Sequence, residues 1–97
     1  MAPTYATTHQ FRSDHSALTP GQKQAFRRAV DKFVEDMPTR RFRAGLRVRG
    51  VQGTDGIFEM TWADDGRATF EYGPPVVEGE PHVIWRRVGT HSIFGSP

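Results

Sequence analysis

The hydrophobic period of this chain changes once, near Pro38, and that change dictates a two-layer fold. Before it, Phe26, Ala29, Val30, Phe33, Val34 and Met37 recur in alternating steps of three and one. That spacing places them on one stripe of a helix with a single buried face. Thr19 is a natural N-cap, Pro20 suits the first helical position, and Gln22 stands where a capping box takes Glu or Gln. The pattern predicts a helix of about 17 residues, stopped by Pro38. Its other face carries Lys23, Arg27, Arg28, Asp31, Lys32 and Glu35. Cations come early and acids late, against the helix dipole, with Arg40 or Arg41 as the available compensation for the acids.

After Pro38 the period is two. Leu46-Arg-Val48-Arg-Gly50 alternates apolar and basic residues, as a half-buried strand does. Ile57–Ala63 and Arg67–Gly73 flank Asp64-Asp65-Gly66 and predict a hairpin. A three-residue loop with Gly66 left-handed pairs Ala63 with Arg67, which sets Trp62 on Ala68, Met60 on Phe70 and Phe58 on Tyr72. The same register puts Glu59 opposite Glu71, so flanking cations are required: Arg47 and Arg49 on one side, Arg86 or Arg87 of a last strand, His82–Val88, on the other. No crossover helix separates these strands. The fold class expected is α+β: an N-terminal helix or helical hairpin packed on a four-stranded, mainly antiparallel sheet. A short helix is expected between Phe11 and Leu18.

With 97 residues the chain has room for one core. Residues 1–10 read as a flexible N-terminal arm and 11–97 as a single domain. There is no cysteine, so disulfides, thiolate metal sites and cysteine nucleophiles are excluded, in keeping with a cytoplasmic setting. No leader is expected from the opening residues, and nothing approaches the roughly 18 consecutive apolar residues of a membrane span. Net charge is +2, but of 13 cationic side chains only Lys23 and Lys32 are lysine. Arginine pairs bidentately with carboxylate and phosphate and stacks on bases; an arginine-rich genome composition gives the same count.

Two clusters carry potential chemistry. Arg40, Arg41, Arg43, Arg47 and Arg49 follow one another with no acid between Asp36 and Asp55, which suits phosphate contacts or an acidic partner peptide, or else a solvated strand face neutralised by Glu59. The second cluster is His82, Trp85, Arg86, Arg87 and His91, with Arg67 on the neighbouring strand. Histidine can move protons near neutral pH and arginine can hold a phosphate as charge builds on it. Trp85 or Tyr72, if exposed, would stack a base. The structural alternative is a strand with Trp85 in the core and arginines in water. No metal-ligand spacing, phosphate loop or nucleophile elbow occurs, so no metal or cofactor is expected.

The helix, the strand meander and the segments Ile57-Phe-Glu-Met-Thr-Trp62, Gly66-Arg67-Ala-Thr-Phe70 and His82-Val-Ile-Trp-Arg-Arg-Val-Gly-Thr-His91 together resemble the RelE/ParE toxin superfamily, over about residues 18–94. The resemblance implies a toxin neutralised by an antitoxin that wraps its surface. RelE-like members are metal-independent, ribosome-dependent mRNA endonucleases; ParE-like members act on gyrase without nuclease chemistry. It implies phosphate-supporting or acid–base roles for His91, Arg67, Arg86 and Arg87; taken with the basic run, the catalytic residues expected are His91, Arg67 and Arg86, and the RNA-binding ones Arg40, Arg41, Arg43 and Arg87. Two departures stand out: Phe94 occupies the place where nuclease members often carry Tyr, and the lysines that several members use are absent. A non-catalytic binding module of the same fold is therefore the alternative, with a general nucleic-acid-binding domain as a third reading.

Overall fold

The computed structural model describes residues 3–97. In chain order the elements are β1 (Thr4–Thr7), α1 (His9–Ser16), α2 (Pro20–Asp36), a 3-10 turn (Ala44–Leu46), β2 (Arg49–Gly50), β3 (Phe58–Thr61), β4 (Gly66–Gly73), β5 (His82–Thr90) and a second 3-10 turn (His91–Gly95). Helix α2 begins as its sequence dictates. The Thr19 hydroxyl accepts from the Gln22 N–H at 3.1 Å, and the Gln22 side chain accepts from the Thr19 N–H at 2.8 Å. Two otherwise unpaired backbone donors are thereby satisfied. The buried stripe of α2 then meets the sheet, with the Phe33 ring 5.0 Å from Phe70, 5.2 Å from Trp85 and stacked on Phe42 at 4.9 Å. Phe33, Met37, Met60, Ala68 and Phe70 are all but inaccessible to solvent.

The sheet has five strands in the order β1-β5-β4-β3-β2, antiparallel except for the parallel β1–β5 pair. The additional strand lies inside residues 1–10, where a flexible arm was expected; of that segment Met1 and Ala2 lie outside the described residues. Pairing explains the difference. Without β1 the outer edge of β5 would expose its backbone groups. Thr4 N–H donates to the Pro81 carbonyl at 3.0 Å, Thr8 N–H to Trp85 at 3.1 Å, and the Thr4 hydroxyl meets His82 Nδ1 at 2.7 Å. Beyond β1 the cover passes to α1. The Thr8 hydroxyl bonds the Arg86 carbonyl at 2.8 Å, and the Asp14 carboxylate takes the Val88 N–H at 3.2 Å.

Three local expectations are corrected. The strand over Leu46–Gly50 shrinks to Arg49–Gly50, because Ala44–Leu46 forms a turn that drops Leu46 into the core and ends on Arg47 in the left-handed region, at φ 47°. The hairpin register is displaced by two: Met60 faces Ala68, Phe58 faces Phe70, and Glu59 faces Thr69 rather than Glu71. An even displacement keeps every side chain on its expected face, so pattern alone does not distinguish the two registers. What selects the observed one is the Trp62 indole, which covers Gly66 so closely that a Cβ there would lie 2.6 Å from the ring. Its Nε1–H also donates to the Arg67 carbonyl at 2.9 Å. Gly66 therefore opens β4 as a strand residue instead of closing the loop in a left-handed conformation.

A bulge completes the frame. Phe70 pairs with Trp85 and Thr69 with Arg87, leaving Arg86 as the extra residue of β5. Strict alternation would turn either Trp85 or Val88 out of the core; the bulge buries both. Gly66→Ala should destabilise the fold by about 1–3 kcal/mol through collision with Trp62, whereas Gly45→Ala, whose Cβ would meet nothing, should stay within about 0.5 kcal/mol. Equal denaturant midpoints for the two variants would contradict this register.

Candidate functional site

Pairing of Gly66 with Thr90 brings the β3–β4 loop beside the end of β5, and His91 follows directly as the first residue of the last turn. Its Nδ1 lies 3.4 Å from an Asp65 carboxylate oxygen, and its ring packs edge-on against Phe94 at 5.3 Å. The imidazole is exposed. Arg67 belongs to the same corner, since its strand position faces Gly89. Its guanidinium is turned inward: Nη1 donates to the carbonyls of Ala63, Asp64 and Gly66 at 3.3, 3.2 and 2.9 Å. Arg67 thus clamps the loop that carries Asp65. Among the described residues no carboxylate pairs with it.

The β5 arginines are occupied. Arg86 lies 3.5 Å from Glu71 and donates to the Pro97 carbonyl at 3.2 Å. Arg87 grips Asp14 at 2.7 and 3.3 Å and donates to the Ser96 carbonyl at 2.9 Å. Burial raises the Asp14 pKa, but hydrogen bonds from Arg87, Gln10 and the Val88 N–H outweigh it, so the carboxyl titrates below its ordinary range. Arg87 is in effect a brace between β5 and α1. Of the expected charge ladder, Arg49 to Glu59 at 3.1 Å and Arg86 to Glu71 are formed, and Arg47 takes no part.

The arginines after α2 also separate. Arg43 folds back on the helix end, holding both Asp36 oxygens at 2.9 and 2.8 Å and Glu35 at 3.1 Å. It, rather than Arg40 or Arg41, compensates the acids that oppose the dipole. These hydrogen bonds pull Asp36 from 3.8 down to about 2. Arg40 adopts a left-handed backbone, φ 56°, and lies over the Tyr72 ring at 4.7 Å. Burial raises the Tyr72 pKa, with Arg40 opposing. Arg41 is exposed, and its side chain makes no hydrogen bond or ion pair among the described residues.

The seven residues singled out in the sequence therefore form two separate places and a set of braces. His91 and Arg67 share the Gly66 end of β4. Arg40 lies with Tyr72 near the Gly73 end, roughly 20 Å away at a strand's rise per residue. Arg41 follows it in the chain, while Arg43, Arg86 and Arg87 are engaged in ion pairs. Trp85 is core, and His82 is tied to Thr4. Sequence reading passed over Asp65, which looked like turn chemistry alone, and Asp14, whose partner lies 73 residues on. Among the described residues no group of three or more His, Asp or Glu could hold a metal ion, and no helix is long and apolar enough to cross a membrane.

No protein-family model and no curated protein sequence matches the chain. Solved structures do match. A chain of the Escherichia coli DinJ–YafQ toxin–antitoxin complex is similar with TM-score 0.70 and 14% identity, covering 95% of this chain and 96% of that one. The YoeB/ParE toxin of Agrobacterium tumefaciens gives 0.65 at 8% identity, over 91% and 98%. The RelB–RelE antitoxin–toxin complex of Methanococcus jannaschii gives 0.60 at 17%, over 95% and 99%. The fold is that of the RelE/ParE-type toxins.

The Arg43 clamp fixes a pH dependence. A carboxyl whose folded pKa lies below its unfolded value adds stability above the unfolded pKa of 3.8 and loses it as pH falls through about 2. Equilibrium unfolding from about pH 5 to about pH 2 should show wild type losing stability relative to Asp36→Asn across that interval. Parallel curves would remove Arg43 from this role.

Proposed function

We propose that this protein is the toxin of a toxin–antitoxin pair and that it cleaves RNA by metal-independent acid–base chemistry centred on His91. The observation that carries the proposal is the corner itself: an exposed imidazole with Nδ1 3.4 Å from an Asp65 carboxylate oxygen, beside an arginine with no carboxylate partner among the described residues, on the fold shared with toxins. With Nδ1 on the Asp65 side, Nε2 is the outward nitrogen. As a base, Nε2 takes the proton of a ribose 2′-hydroxyl while that oxygen attacks the adjacent phosphorus. The bond from phosphorus to the 5′-oxygen breaks, and the leaving oxygen takes a proton from the imidazolium or from water. Positive potential from Arg67 favours the charge that gathers on the phosphorane. A single strand laid from this corner along β4 would reach Arg40 and Arg41 at the far end. Phe94 supplies packing for His91 but no hydroxyl. The target would be mRNA on the ribosome, in the cytoplasm, and the controlling partner an antitoxin protein.

One observation favours the second reading, a non-catalytic module of the same fold. Arg86, one of the expected phosphate clamps, is taken up by Glu71 and the Pro97 carbonyl. Expression in a bacterial host separates the two. Wild type should arrest growth and fragment mRNA, and His91→Ala, an exposed substitution, should lower cleavage by about 100-fold or more. Arrest that persists in His91→Ala with intact mRNA would support the non-catalytic module. Normal growth at high levels of wild type would remove the toxin reading altogether.

A further inference from the structure

The bulge in β5 sets two guanidinium groups side by side. Trp85 and Val88 both belong to the core, so the two residues between them, Arg86 and Arg87, share the face of the sheet that turns away from α2. Each has a carboxylate, Glu71 for Arg86 and Asp14 for Arg87. Each also donates to the residues that follow the last turn: Arg87 Nη1 to the Ser96 carbonyl at 2.9 Å, and Arg86 Nε to the Pro97 carbonyl at 3.2 Å. Two successive carbonyl oxygens thus meet two successive arginines. A phosphodiester offers its two free oxygens to arginine in the same manner.

Little else holds these two residues. The turn before them is anchored: Ile93 is buried, and a Cβ on Gly89 would lie 3.0 Å from its Cγ2. Ser96 is exposed, and besides the arginine contact its one hydrogen bond among the described residues runs from its N–H to the Ile93 carbonyl at 3.0 Å. A neutral carbonyl is a weaker acceptor for a guanidinium than an anionic oxygen, so a phosphate would exchange for these carbonyls favourably. The same face of the sheet gives a second sign. Thr69 pairs with Arg87 across the strands and is wholly buried, and its hydroxyl has no hydrogen-bond partner among the described residues. A face that stays closed would favour valine there, because a buried hydroxyl without a partner is costly.

We propose that Ser96–Pro97 is a self-inhibitory strap: its carbonyls occupy the phosphodiester positions at Arg86 Nε and Arg87 Nη1, and a single RNA strand displaces it to bind there. That the ligand is RNA rests on the proposed function above; the occupation of both arginines by the chain itself does not. Displacing two residues leaves the frame standing, since Arg87 keeps Asp14 and Ile93 keeps its seat against Gly89. Arg86 precedes Thr90 by about 13 Å along β5, so the strap covers a phosphate contact beyond the His91 corner and not the corner itself. Of the two groups that engage Arg86, the Pro97 carbonyl is thereby the removable one.

The test measures binding of a fluorescent 2′-O-methyl RNA oligonucleotide, which lacks the attacking hydroxyl and so reports binding without cleavage. The full chain is compared with a chain ending at Gly95, each with and without Arg86→Ala. Removal of Ser96 and Pro97 should tighten binding about fivefold or more, and the gain should vanish in the Arg86→Ala background. In the full chain, labelled with nitrogen-15, saturating oligonucleotide should shift the Arg86 Nε–H and Ser96 N–H resonances together, a readout that does not depend on the shortened chain folding. No binding to either length, equal binding to both, a gain that survives Arg86→Ala, or binding that leaves the Ser96 N–H unmoved would each overturn the inference. Cleavage of unmodified RNA by the same pair separates it from the nuclease reading. A gain in binding with no cleavage by either length would remove the nuclease and keep the strap; equal binding with equal cleavage would do the reverse.

Discussion

One carboxylate ties α1 to the far half of β5. Asp14 accepts from the Arg87 guanidinium and from the Val88 N–H, and so ties α1 to the stretch of β5 that β1 does not reach. A strand edge must have its backbone donors satisfied or covered, and here an acidic side chain accepts from one of them, the Val88 N–H. The same contact neutralises a half-buried arginine. Loss of Asp14 would strand both groups at once, a cost larger than that of an exposed ion pair. The position of α1 depends on this arrangement.

What could be read from the sequence was what depends on near neighbours. The capping box of α2 involves Thr19 and Gln22, three residues apart, and it forms as expected. The apolar stripe, the two-layer class and the antiparallel majority follow from periodicity. Register followed only in parity. The pleat tells which face a residue takes, and a displacement by two leaves that unchanged, so the choice fell to the Trp62–Gly66 contact. β1 was out of reach for another reason: four residues with a partner 78 positions away carry no local signal beyond their β-branched and aromatic character.

The arginines show the same division. Cross-strand reasoning offered Arg47 and Arg49, and Arg86 or Arg87, as partners of Glu59 and Glu71, and of these Arg49 and Arg86 form the pairs. It left Arg43 and the other of the Arg86/Arg87 pair among the functional remainder; Arg43 and Arg87 prove to be braces whose acids come from α2 and α1. His91 and Arg67 share one corner because Gly66 pairs with Thr90 at the adjacent strand ends. That Arg67 would turn its head to three loop carbonyls is a side-chain choice that no pattern encodes.

The pairing of β1 also orders events in time. Its partner, His82–Trp85, lies at the far end of the chain, and closing so long a loop is slow compared with forming local turns. During synthesis the segment Thr4–Thr7 has no edge to join until β5 has been made. The first strand in chain order is therefore among the last to settle, and the edge of β5 that it covers stays open until the final strand is in place.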